Sequence, residues 1–111
     1  MTLGAMTRDA DHSAGYDPGS PYRHDVLEFA GDGAYPAGGT PDFEVLVQDA
    51  LGAKVRVVSV ESIDLTGYML RYDITNDKLV TMHFPTSQGP AVEDTTANQS
   101  GRTYQVIVRS R

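Results

Sequence analysis

The sequence has no cysteine, no tryptophan and only three phenylalanines in 111 residues. Without cysteine there is no disulfide framework, no thiolate zinc centre and no cysteine nucleophile. Basic residues are also scarce: nine Lys and Arg stand against fifteen Asp and Glu, for a formal net charge of −6 and a pI near 4.8. Tracking phosphates requires a net basic face, so neither nucleic acid nor a membrane surface is expected as a partner. No apolar run approaches the roughly 20 residues that cross a bilayer. Residues 1–10 lack the basic start and apolar centre of a secretion signal.

What is present is unevenly distributed. Residues 1–52 carry nine acids against Arg8 and Arg23, a net charge of −7, together with eight of the eleven glycines and four of the six prolines. Residues 53–111 carry a net charge of +1. Within residues 1–21 the apolar side chains are Met1, Leu3, Met6 and Tyr16 with a few alanines, spaced with no period of 2 or 3.6. Such a segment cannot bury enough surface to build its own core. Fully extended it would reach roughly 70 Å. Residues 1–22 are therefore expected to form an extended N-terminal arm that docks elsewhere, and residues 23–111 a β domain.

The remainder alternates short apolar runs with Gly and Pro punctuation, the pattern of an all-β domain. Arg23–Phe29 reads as a strand and residues 31–39 (Gly-Asp-Gly-Ala-Tyr-Pro-Ala-Gly-Gly) as a loop. Lys54–Ile63 is rich in valine, and its alternation breaks at Val57-Val58, the mark of burial on both faces or of a β-bulge. Arg102–Arg109 places Tyr104, Val106 and Val108 on one face. Around Asn76-Asp77 a hairpin is predicted. A three-residue loop, Thr75–Asp77, would oppose Tyr72 to Val80, Leu70 to Met82 and Tyr68 to Phe84, leaving Met69 and His83 together on the other face. Asn76 or Asp77 would supply the left-handed residue. Residues 42–51 fit two patterns. As a helix, Thr40 caps it, Pro41 opens it, and Phe43, Leu46, Val47, Ala50 and Leu51 form a stripe ending at Gly52. As a strand, Phe43, Val45 and Val47 alternate with Glu44, Leu46 and Gln48.

Catalytic and metal-binding patterns are sparse. Asp11-His12 lies in the arm, and His24-Asp25 are strand neighbours whose side chains face opposite ways. No His-x-His, no His-Glu-x-x-His and no calcium loop occurs, so no metal and no cofactor is expected. Gly31-Asp32-Gly33 lacks the third glycine and the βαβ setting of a dinucleotide site. The serines at 59, 62, 87 and 100 sit in no nucleophile elbow, so the chain is not expected to be an enzyme. Tyr16, Tyr22 and Tyr35 lie in or beside Gly/Pro loops, where a lone aromatic ring anchors a contact. Together with Arg23, Arg109 and Arg111 they are the candidate contact residues toward a partner subunit or surface.

Phe29-x-Gly31, Tyr35-Pro36-Ala37-Gly38-Gly39, Leu51-Gly52, the valine strand 55–60 and Gly67-Tyr68-x-x-x-Tyr72-Asp73-x-x-Asn76-x-Lys78-Leu79 follow one another in order. Over residues 27–84 the series resembles small virion structural proteins of tailed bacteriophages, of the capsid decoration (cement) type. The resemblance implies an all-β fold, a small antiparallel β-sandwich or barrel of five to seven short strands. It also implies that Phe43–Val47 is a strand and Asp49–Leu51 a short turn. It carries no catalytic residue. Its expected partners are the major capsid protein and copies of the chain itself, as a homotrimer. The expected location is the capsid surface of the virion, and the host cytoplasm during assembly. The alternative is a head-fibre or tail structural or adsorption protein of the virion.

Overall fold

The computed structural model describes residues 3–10, 13, 15–16 (backbone only), 21–63, 68–84 and 89–111. Asp11, His12, Gly67 and Ser87 lie outside the described residues, as does the side chain of Tyr16.

The fold is all-β, as the strand pattern predicts, with two antiparallel sheets and one short helix among the described residues. The elements are β1 (Thr7–Asp9), β2 (Gly15–Tyr16), β3 (Arg23–Ala30), β4 (Thr40–Pro41), α1 (Phe43–Leu51), β5 (Val57–Ser62), β6 (Tyr68–Asp73), β7 (Lys78–His83), β8 (Val92–Glu93) and β9 (Thr103–Ser110). The first sheet runs β1-β3-β9-β5, with β2 also on β3; the second runs β4-β7-β6, with β8 on β7. Among the described residues six strands are three residues or longer, within the five to seven expected, and three more are only two residues long and carry no periodicity to detect. The sheets share one core: Leu27, Phe29, Tyr104, Val106, Val108 and Val57 from the first, Leu70 and Leu79 from the second, and Phe43 and Val47 from α1. The rings of Phe29, Tyr104 and Phe43 interlock at its centre, with centroids 6.0 and 6.4 Å from Phe29.

The predicted alternation of β9 is present: Tyr104, Val106 and Val108 are all buried. In β5 the break at Val57-Val58 is a bulge, since Val57 pairs with Ser110 but Ser59 pairs with Arg109. The described residues of the expected arm lie on the chain's own body. Thr7–Asp9 and Gly15–Tyr16 both pair with β3, the Gly4 N–H donates to the Ala30 carbonyl, and Leu3 is buried in the core.

Two local expectations are overturned. Residues 43–51 form a helix, not a strand followed by a turn. Phe43 and Val47, one turn apart, are both fully buried, whereas Val45, which a strand would place beside them, is 52% exposed. Thr40, expected as the cap, belongs to β4; Asp42 takes the capping position in a left-handed conformation (φ 58°) and gives no side-chain cap. Its place is taken by Asp77 of the β6–β7 turn, whose carboxylate accepts the Glu44 N–H (2.9 Å) and the Tyr72 hydroxyl (2.8 Å). At the other end Gly52 (φ 64°) closes the helix by donating its N–H to the Gln48 carbonyl.

The hairpin also has a different register. Its loop is the four residues Ile74–Asp77, so Tyr72 opposes Leu79, Leu70 opposes Thr81, Met69 opposes Met82 and Tyr68 opposes His83. Leu79 and Thr81 therefore face the core, and the predicted pairs of Val80 with Tyr72 and of Met82 with Leu70 do not form. The apolar pattern failed because a threonine takes an inward position: the Thr81 hydroxyl is buried by donating to Gln99 Oε1 (2.8 Å). Asp73 fixes the loop by accepting the N–H groups of Thr75 and Asn76, and Asp77 (φ 53°) is its left-handed residue.

Candidate functional site

The six candidate contact residues divide between the two ends of β3. Pairing of β3 with β9 opposes Arg23 to Ser110 and His24 to Arg109, while Tyr16 of β2 pairs with Arg23. Tyr16, Tyr22, Arg23, Arg109 and Arg111 thus meet at one end of the first sheet. Tyr35 lies beyond the opposite end of β3 and is buried at 6% exposure. It is an internal anchor: its hydroxyl donates to Glu93 Oε2 (2.7 Å) and accepts the Thr81 N–H (3.1 Å). Burial first, and then the Glu93 carboxylate, push the Tyr35 phenol well above its ordinary pKa.

Around Tyr35 the loop from Asp94 to Arg102 is held by internal hydrogen bonds. Gln99, 1% exposed, accepts from Thr81 and Tyr104 and donates to the carbonyls of Asp94 and Thr96. Arg102 donates to Asp94 (2.6 Å) and stacks on Tyr68, with 3.8 Å from its Cζ to the ring centroid. The Asp94 carboxyl, which burial alone would raise, is held below the usual carboxylate range by Thr96 and Arg102. Gly31 is required here because a Cβ would lie 2.3 Å from the Gln99 carbonyl oxygen. The polar groups of this end are occupied in holding the loop.

The arginine end is built differently. Arg8 and Arg23 both donate to Asp25 at 2.7 Å, and Asp25 is fully buried. Burial opposes ionisation of its carboxyl, but hydrogen bonds from Arg23 and Arg8 outweigh that and hold its pKa low. On the other face of the sheet, Arg109 lies over the Tyr22 ring with Cζ 3.9 Å from the centroid. Its Nε is buried without a hydrogen-bond partner among the described residues.

Sequence inspection missed Arg56. The Arg56 N–H donates to the Arg111 carbonyl (2.7 Å) and the Arg111 N–H returns to the Arg56 carbonyl (3.0 Å). A reciprocal pair of this kind sets the two residues directly opposite with side chains on one face. Arg109, two residues before Arg111, shares that face. The register therefore places Arg56, Arg109 and Arg111 near one another on one face of the sheet edge, although the first two are 53 positions apart in sequence. The only signal available was pairing of the segment before β5 with the last residue, which requires the register.

Among the described residues no group of three or more His, Asp or Glu is placed to hold a metal, and no helix is long and apolar enough to cross a membrane. His24 and Asp25 face opposite sides of β3, as expected from their adjacency. An open groove of about 870 Å³ lies between the outer edges of β5 and β6, lined by Val58, Val60, Met69, Arg71 and Met82 among others. Comparison with family models, curated proteins and solved structures finds no match to the chain.

Proposed function

We propose that this chain is a capsid decoration protein of a tailed bacteriophage, binding the outer surface of the assembled head as a homo-oligomer, a trimer in the form the resemblance implies. Its partners are the major capsid protein and other copies of itself. The observation that carries the reading is where the resembling motifs fall. Phe29 is in the core, Gly31 and the Tyr35 loop form the close approach to Gln99, Gly52 ends α1, and Tyr72, Asp73 and Asn76 build the hairpin. All are positions that specify a fold, and none converges on a reaction centre, which fits a role performed by surfaces.

Those surfaces are available. Met69, Ile74, Phe84 and Val92 are exposed by 40% or more on or beside β6, β7 and β8, and the arginine cluster stands at one end of the first sheet. Exposed apolar and aromatic groups rimmed by charge are the ordinary material of protein contacts. Cryo-electron microscopy of purified particles tests the reading. A regular outer layer of the chain on the head, in many copies, is expected. A handful of copies at a fibre or tail tip would replace it with the adsorption alternative, and absence from the particle would overturn both.

A further inference from the structure

We infer that the arginine face of the first sheet is one half of an interface between two copies of this chain, the other half being the acidic outer face of α1. The inference deepens the oligomeric part of the proposed function and rests on that reading only in requiring a second copy; the capsid plays no part in it.

The first observation is an electrostatic conflict. Arg56 and Arg111 are directly opposed and Arg109 is on the same face two residues away. Like charges directly opposed on a sheet are destabilising. Here they are assembled in a protein whose formal net charge is −6 and which has only nine basic residues to place. Within the molecule the cluster is barely answered. Arg56, its side chain 82% exposed, reaches Glu44 at 3.4 Å, and among the described residues no carboxylate pairs with Arg109 or Arg111. Stacking on Tyr22 fixes the Arg109 guanidinium in place, so little further ordering is lost when it meets a carboxylate.

The second observation identifies the occupant. The exposed face of α1 carries Val45, 52% exposed, and Asp49, with Asp42 exposed at its capping position and the Glu44 side chain, 25% exposed, at its margin, and its last turn has no basic residue. An acid-rimmed apolar side chain matches an arginine cluster that has a tyrosine ring beside it. The two patches also adjoin, since Glu44 of α1 is the carboxylate that touches Arg56. That intramolecular pair is long and its Arg56 side is open to solvent, so exchanging Glu44 for a neighbouring copy's carboxylates sacrifices little. A nucleic-acid strand is disfavoured as occupant, because a polyanion running past the cluster would meet the half of the chain whose net charge is −7.

Charge reversal tests this with purified full-length protein in sedimentation velocity at physiological salt. One variant carries Arg109→Glu and Arg111→Glu, the other Glu44→Lys and Asp49→Lys. The wild-type chain is expected to self-associate, and each variant alone to do so at least about tenfold more weakly. An equimolar mixture of the two is expected to regain association, because each supplies the sign the other has lost; that recovery also shows both variants to be folded. A wild-type chain that stays monomeric through the millimolar range overturns the inference. So does a variant that associates like wild type, or a mixture that does not recover. A monomer that binds a glutamate-rich peptide through Arg109 and Arg111 would overturn the second-copy assignment in favour of a different acidic partner. None of these results bears on whether the chain is found on a phage head.

Discussion

Asp25 shows how much one side chain can hold in place. Its carboxylate is fully buried on the core side of β3, where it takes Arg23 from its own strand and Arg8 from β1. Two charge-assisted hydrogen bonds tie the N-terminal segment to the sheet. Because Asp25 has a lower pKa folded than unfolded, its contribution to stability is complete above the unfolded value of roughly 3.9 and is lost as pH falls through the folded value. Asp25→Asn should therefore cost about 3 kcal/mol at neutral pH by removing the buried charge that Arg8 and Arg23 share. In urea titrations repeated across pH, the gap between wild type and variant should narrow steadily below about pH 4. This site was only half legible in the sequence. Adjacency of His24 and Asp25 showed that they face opposite sides, but the partner Arg8 lies 17 residues away in a segment without periodicity.

Among the elements, α1 is the one whose identity the sequence left open. Both a helical stripe and a strand alternation fit residues 42–51; period slightly favours the helix, while the flanking β pattern and the resemblance favour the strand. The deciding contacts are remote: Phe43 packs on Phe29 and Tyr72, and Asp77 of the hairpin turn supplies the N-terminal hydrogen bond that Asp42 does not. The closing glycine was visible from the start. Gly52 has a left-handed backbone and open space where a Cβ would go, so replacing it with alanine brings strain without a clash. Gly52→Ala is expected to destabilise the protein by about 1 kcal/mol, read as a lower urea midpoint with unchanged slope. The hairpin teaches a related lesson. Its turn and its left-handed Asp77 were legible, whereas its register depended on Gln99 accepting the inward Thr81 hydroxyl from a distant loop.

At the scale of the whole molecule, the N-terminal segment is in part a component of the body. Leu3 sits at 7% exposure within the core, and β1 and β2 cover β3. Leu3→Ala is accordingly expected to lower stability by about 2 kcal/mol in urea unfolding, where a free arm would register nothing. Deleting residues 1–22 would likewise injure the fold, so loss of binding by such a truncation would not by itself locate a docking element. The all-β class could be read from short apolar runs between Gly and Pro, and β9 from the alternation of Tyr104, Val106 and Val108. The clustering of five of the six candidate contact residues could not, because it arises from pairing between the start of β3 and the end of β9. That pairing has a consequence in time. β9 is the last element in chain order yet occupies the middle of the first sheet, between β3 and β5. During synthesis β3 can pair with β1 and β2, but the edges of β3 and β5 that β9 joins stay open until its residues have emerged. The first sheet is therefore completed by pairings between strands far apart in the chain, a late step in folding.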